Sequence, residues 1–155
     1  MNRKDREISD DDELTDIIKK GRFAVFSLTR DGEPYVVTLS YGYDVANRCI
    51  YIHTARSGLK LDIIRSNSRA SGTVIEDHGY VRGKCTHKYR TVVFFGELEE
   101  VTDIKEKKHG MNILFKHFDE DPDSMRARFL SNDEVYDGLV VLKFRVKNIR
   151  GKKSL

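Results

Sequence analysis

Gly32-Glu33-Pro34-Tyr35-Val36-Val37-Thr38-Leu39-Ser40-Tyr41-Gly42-Tyr43 alternates with a period of two. Tyr35, Val37, Leu39, Tyr41 and Tyr43 fall on one face of an extended chain, and Val36, Thr38, Ser40 and Gly42 on the other. The first face is aromatic and apolar, suited to a core. The second is small and polar, which leaves room for something to lie against it. Just ahead, Asp31-Gly32 is a strong hairpin signal, and Phe23 to Thr29 is rich in aromatic and β-branched residues. Two antiparallel strands therefore seed the fold.

Working outward, a turn around Asn47 leads to a third strand, Arg48 to Thr54, with Cys49, Tyr51 and His53 opposite Ile50, Ile52 and Thr54. Ser71 to Glu76, Thr91 to Val101 and Leu139 to Val146 supply three more strands, and polar residues from Asp77 to Lys88 read as a long loop. Helices are expected at Asp10 to Lys20, with Ser9 as N-cap and Gly21 as stop, at Gly58 to Ser66, and at Asp103 to Phe118. In the last of these, Met111, Leu114, Phe115 and Phe118 share a face. A short helical turn is expected around Ser124 to Leu130. Six strands joined mostly by turns predict a mainly β fold with some α, a barrel with peripheral helices.

With 155 residues, the chain reads as one domain, 1–155. Hydrophobic residues make up 39% and charged residues 34%, the balance of a globular protein with a heavily charged exterior. No apolar run approaches the ~20 residues of a membrane helix. The charged start, Met1 to Glu7, has no apolar core of a secretory signal. Cys49 and Cys85 stand far apart and in no CxxC pattern, which argues against a zinc site or disulfide framework and for a reducing cytoplasm. Twenty-eight basic and 25 acidic residues leave a net +3 with mixed signs. The one basic run, Lys147 to Lys153, reads as a solvated tail, so a nucleic-acid partner is not expected.

Chemistry concentrates in His53-Thr54-Ala55-Arg56-Ser57-Gly58-Leu59-Lys60, which ends a strand and opens a helix. A helix start offers unpaired N–H groups and the positive end of the dipole, so it binds phosphate readily. Thr54 and Ser57 add hydroxyls, Arg56 and Lys60 add charge, and Gly58 allows close backbone approach. The plain alternative is an ordinary capped loop. A second stretch, Thr86-His87-Lys88-Tyr89-Arg90-Thr91, offers a ring to stack and a guanidinium to pair with an anion, or simply a strand start. The five histidines form no HExxH, and no metal site is expected. No GxSxG, P-loop or GxGxxG is present.

In this order, the motifs resemble the FMN-binding split-barrel family that includes pyridoxamine-phosphate oxidase, in its nitroimidazole-resistance-like branch. The resemblance runs from Arg3 through Gly32–Tyr43, Ile50–Ala55, Gly58–Asp62 and Tyr89–Val93 to Ile149–Lys153. It implies a six-stranded antiparallel split β-barrel, a homodimer with FMN at the subunit interface, and a small-molecule substrate. It sets Val36, Val37 and Thr38 beside the isoalloxazine. It gives the ribityl chain and phosphate to His53, Thr54, Ala55, Ser57, Gly58, Leu59 and Lys60, with His53 also the catalytic group. Thr86, Tyr89, Arg90 and Thr91 line the pocket or approach from the partner. The second strand lacks the Arg and Lys of true pyridoxamine-phosphate oxidases, which argues against vitamin B6 oxidation. The leading expectation is an FMN-dependent oxidoreductase that reduces a small organic acceptor, a nitro compound or a quinone. The alternatives are a haem-binding split barrel, with His53 or His87 as axial ligand, and a non-catalytic ligand-binding or nucleic-acid-associated barrel.

Overall fold

A computed structural model describes residues 3–155; Met1 and Asn2 of the charged start lie outside the described residues. Eight strands form one antiparallel sheet: β1 (Glu7–Ile8), β2 (Phe23–Arg30), β3 (Glu33–Ser40), β4 (Gly42–Asp44), β5 (Cys49–Thr54), β6 (Arg69–Val81), β7 (Thr86–Glu100) and β8 (Val140–Ser154). Among the described residues, a 3-10 turn at Lys4–Arg6 and five α-helices decorate it: α1 (Asp11–Lys20), α2 (Leu59–Ser66), α3 (Ile104–Phe118), α4 (Pro122–Phe129) and α5 (Asp133–Asp137). The path is β3-β2-β6-β7-β8-β5-β4, with β1 beside β8.

The deciding stretch behaves as two strands. Glu33 to Ser40 pairs with β2 at one end of the sheet, and Gly42 to Asp44 pairs with β5 at the other. One run of chain thus joins both ends of the sheet and curls it into a split barrel. The break falls at Tyr41, whose buried hydroxyl donates to the Ile18 carbonyl at 2.6 Å. Gly42 lets α3 close over the break, since a Cβ there would sit 2.9 Å from the Ile113 backbone.

The hairpin turn is as expected: Asp31 and Gly32 both have positive φ, 54° and 83°, as a type I′ turn requires. Phe26, Phe94 and Phe144 meet at 5.2–5.9 Å in the barrel core, covered by Leu14, Ile17 and Ile18 of α1. A second cluster under α3 joins Cys49, Tyr51, Met111, Leu114 and Val141. Strand β5 is therefore buried on both faces.

Four expectations need correcting. Asp10, not Ser9, caps α1, accepting from the Asp12 N–H at 3.0 Å. The residues read as a polar loop, Asp77 to Lys88, mostly extend β6 and β7 into a long ribbon, because cross-strand pairing stabilises polar strands that periodicity misses. The basic tail is the second half of β8, paired along β7, with Lys147 on Glu97 and Lys153 on Glu13. Phe118 ends the shared face of α3 at the surface.

Carboxylates hold several seams. Asp44, the buried end of β4, accepts from Asn47 at 2.8 Å and lies 2.6 Å from Nε2 of His109 on α3. Burial alone would raise its pKa, but Asn47 and His109 outweigh that and hold it below the usual carboxylate range. Lys143 does the same for Glu106. A lowered folded-state pKa contributes stability above the unfolded value and loses it as pH falls. Thermal unfolding followed against pH should therefore show a plateau near neutrality. The decline should begin as pH approaches the ordinary values of 4.5 and 3.8 and continue below them, with Asp44→Asn flattening it.

Candidate functional site

Alternation along β3 sends Tyr35, Val37 and Leu39 into the core, while Val36, Thr38 and Ser40 face outward. Val36, Val37 and Thr38 therefore cannot all present side chains to one ligand. What they share is the backbone of an edge strand, whose outer N–H and C=O groups have no strand partner among the described residues.

The ladder between β4 and β5 stops at Gly42 and Tyr51. Carried on, its register would set Ser40 opposite His53 and Leu39 opposite Thr54. The strands part there instead, while β3 and β5 stay in contact. The split of the barrel thus has the free edge of β3 on one side. On the other are the end of β5 and the exposed turn Ala55 to Gly58.

That turn feeds an unusual helix start. Asp10, Asp103, Asp121 and Asn132 each cap their own helix with a side-chain oxygen. At α2 the N-cap is Gly58, with no side-chain cap, and its φ of 135° is one that L side chains rarely adopt. The Leu61 N–H bonds the Gly58 carbonyl at 2.9 Å, but the Leu59 and Lys60 N–H groups have no acceptor, and the Lys60 ammonium no ion pair, among the described residues. Donors with no internal acceptor, a helix dipole and a free ammonium are what a phosphate requires.

His53, the residue before the end of β5, lies on the side of the second core cluster, across from Val141. Its ring has surface exposed, yet desolvation by its neighbours lowers the imidazole pKa, favouring the neutral form. It has no hydrogen-bond partner among the described residues.

Residues Thr86 to Thr91 lie along β7 and alternate. Tyr89 and Thr91 face outward, in the row of Ile75 and Asp77. Arg90 faces the other way, toward α1, where Glu76 and Asp16 bond it and Glu13 stands at 3.7 Å. Its guanidinium is thus already paired with the protein's own carboxylates, a role that spacing alone did not reveal. Thr86 hydrogen-bonds the Lys84 carbonyl at the ribbon tip.

Cross-strand partners share a face, so register assembles the outward surface. Thr38, Val25, Thr73 and Val93 form one row, and Val36, Ser27, Ser71 and Phe95 the next. Val36 is 61% exposed, Ile75 62% and Phe23 60%, with Val93 and Phe95 also open. Arg150 and Lys152, paired with Val93 and Thr91, add two cations that the solvated-tail reading missed. An open cleft of about 630 Å³ lies lower on this face, between Arg69, Phe95 and Lys147, and holds none of the expected residues.

A sequence profile of the family described as Pyridoxamine 5'-phosphate oxidase matches residues 10–153. The chain belongs to the pyridoxamine 5'-phosphate oxidase family. Among solved structures, this family member is similar to a candidate 5-nitroimidazole antibiotic resistance protein from Bacteroides thetaiotaomicron. That match has a TM-score of 0.80 and 26% identity over 94% of this chain and 85% of the other. A FAD-binding protein from Mesorhizobium loti matches at TM-score 0.71 and 25% identity, over 97% and 98% of the two chains. The FAD and heme binding protein of Mycobacterium smegmatis, at 20% identity and TM-score 0.76 over 96% and 73%, shares the fold. No curated protein matches the sequence significantly.

Proposed function

We propose that this family member binds FMN at the split and reduces a small organic acceptor as a homodimer. The observation that carries the reading is the uncapped start of α2 at Gly58, with Lys60 beside it, across the split from the free edge of β3. The phosphate takes the open N–H groups and Lys60. The flat ring lies along the β3 backbone at Val36 to Thr38, and Thr54, Ala55, Ser57 and Leu59 line the ribityl chain. The flavin supplies the two-electron chemistry, and the protein binds, orients and protonates. The Mesorhizobium loti neighbour is a FAD-binding protein, which supports a flavin as the cofactor class. The exposed apolar face is the surface a second copy would cover, bringing Tyr89 and Thr91 over the first copy's ring. Two unpaired cysteines suit a reducing cytoplasm.

Equilibrium binding of FMN and riboflavin to the purified protein tests the phosphate assignment. FMN should bind more tightly, and Lys60→Ala should weaken FMN by about 1.5–3 kcal/mol while hardly touching riboflavin, the size of a hydrogen bond to a charged group. Equal affinities for the two flavins would remove the phosphate from α2. Haem is the second reading, favoured by the neutral, unpartnered imidazole of His53. A red-brown protein with a Soret band lost in His53→Ala would replace the flavin reading.

A further inference from the structure

The outward face of the β6–β7 ribbon carries a hollow of about 300 Å³, lined by Ile75, Asp77, His87, Tyr89 and Thr91. A β-bulge shapes it: pairing runs to Asp77–Tyr89 and resumes at Tyr80–His87. Gly79, at φ +88°, absorbs the irregularity and donates its N–H to Asp77 Oδ1 at 2.7 Å. His87 Nε2 lies 2.7 Å from the same oxygen. Bulges of this kind re-aim side chains, and this one aims a carboxylate at an imidazole.

The chemistry of the pair is directional. An ionised carboxylate only accepts, so Nε2 carries the hydrogen it shares with Asp77, and Nδ1 has no partner among the described residues. Asp77 is held below the usual carboxylate range, first by the Gly79 N–H and then by His87, so it is an anion at neutral pH. A carboxylate so placed fixes the tautomer and the orientation of the ring. His53, expected from the sequence to be the proton donor, has no carboxylate partner and is desolvated toward its neutral form.

We propose that His87 is a catalytic proton donor to a small planar aromatic acceptor, a quinone or nitroarene, seated in the hollow against Tyr89 and Ile75, with Asp77 as its positioning residue. The proposal rests on the flavin reading: Thr91 belongs both to this hollow and to the face proposed to cover the partner's flavin. The volume is at the lower limit of ligand pockets, about 300–1,000 Å³, which favours a one- or two-ring molecule. Flavin bound at the split and reduced by a nicotinamide-type hydride donor would supply one hydride equivalent to an acceptor held in the hollow. The Nδ1–H bond of His87 breaks as an O–H bond forms on the acceptor. Hydride plus proton turns quinone into hydroquinone, or nitroarene into nitrosoarene and water. His87 is left neutral, still donating Nε2–H to Asp77, and regains its proton from solvent through its exposed edge.

The test uses the FMN-loaded protein, reduced anaerobically with dithionite and mixed with duroquinone or nitrobenzene. His87→Gln should slow flavin reoxidation on the order of a hundredfold without changing FMN affinity. Asp77→Asn should slow it less, and added imidazole should restore part of the rate to His87→Ala. Independently of turnover, nitrobenzene added to flavin-free protein should shift the ring NMR signals of His87 and Tyr89 and leave those of His53 in place. Unchanged reoxidation in His87→Gln, or shifts confined to His53, would overturn the proposal. If FMN does not bind at all, the flavin reading fails, and the nitrobenzene shifts alone decide the hollow: their absence overturns it.

Discussion

Gly96→Ala should destabilise the protein by about 3 kcal/mol, a fall in Tm of roughly 6–12 °C for a chain of this size. Gly96 sits where the β7–β8 ladder changes register: Phe95 pairs with Asn148, but Gly96 pairs with Val146, so Lys147 is an extra residue on β8. A Cβ at 96 would stand 1.8 Å from the Arg145 carbonyl oxygen and 3.0 Å from the Phe144 ring. Backbone cannot swing aside as a side chain can, so the two strands would have to separate beside the core phenylalanines. The φ of Gly96 is not in the left-handed region, so packing alone demands glycine here. Gly138→Ala is the control. Its Cβ would displace only the flexible end of Arg56, so its Tm should stay within about 2 °C. Matched losses in the two variants, measured by calorimetry at one protein concentration, would show that the bulge does not need its glycine.

The barrel was legible wherever one face is apolar and the other is not. Phe23 to Thr29, the Asp31-Gly32 turn and the alternation from Tyr35 all read directly, because burial on one side leaves a period-two trace. Tyr41 carries no break signal in sequence. It continues the alternation, and only its hydroxyl bond to Ile18 and the packing of α3 on Gly42 show why the strand turns there. The ribbon past Asp77 and the second half of β8 were hidden for the opposite reason. Their side chains pair charge with charge across strands, as Lys147 does with Glu97, and leave no hydrophobic periodicity. The α5 helix, five residues long, has too few turns to show a helical period. At the candidate site, the helix start at Gly58 was legible as a glycine between a strand and a helical pattern. The pairing of Asp77 with His87 was not, since ten residues and a bulge separate them. Strict alternation through 87, 89 and 91 was the available clue.

Val93→Lys combined with Phe95→Lys should leave a folded monomer whose FMN affinity has dropped more than about a hundredfold, roughly 2.8 kcal/mol. Both side chains stand on the outward face of β7, 38% and 44% exposed, while their strand neighbours Val92 and Phe94 are fully buried. The barrel core therefore does not depend on them, and the variant's secondary structure and Tm measured on the monomer should be preserved. What the lysines disturb is the apolar surface formed with Val36, Ile75 and Phe23, where a second copy would have to bury two ammonium groups without partners. If the flavin is held by the split of one chain and by Tyr89 and Thr91 of the other, ligand and dimer stabilise each other reciprocally. FMN should then shift the wild-type monomer–dimer equilibrium toward dimer, and should fail to rescue the variant. Sedimentation across a dilution series, with and without FMN, reads both effects. A variant that stays dimeric would move the interface off this face. A monomer that binds FMN at full affinity would confine the pocket to one chain and withdraw Thr86, Tyr89 and Thr91 as ligands supplied by the partner.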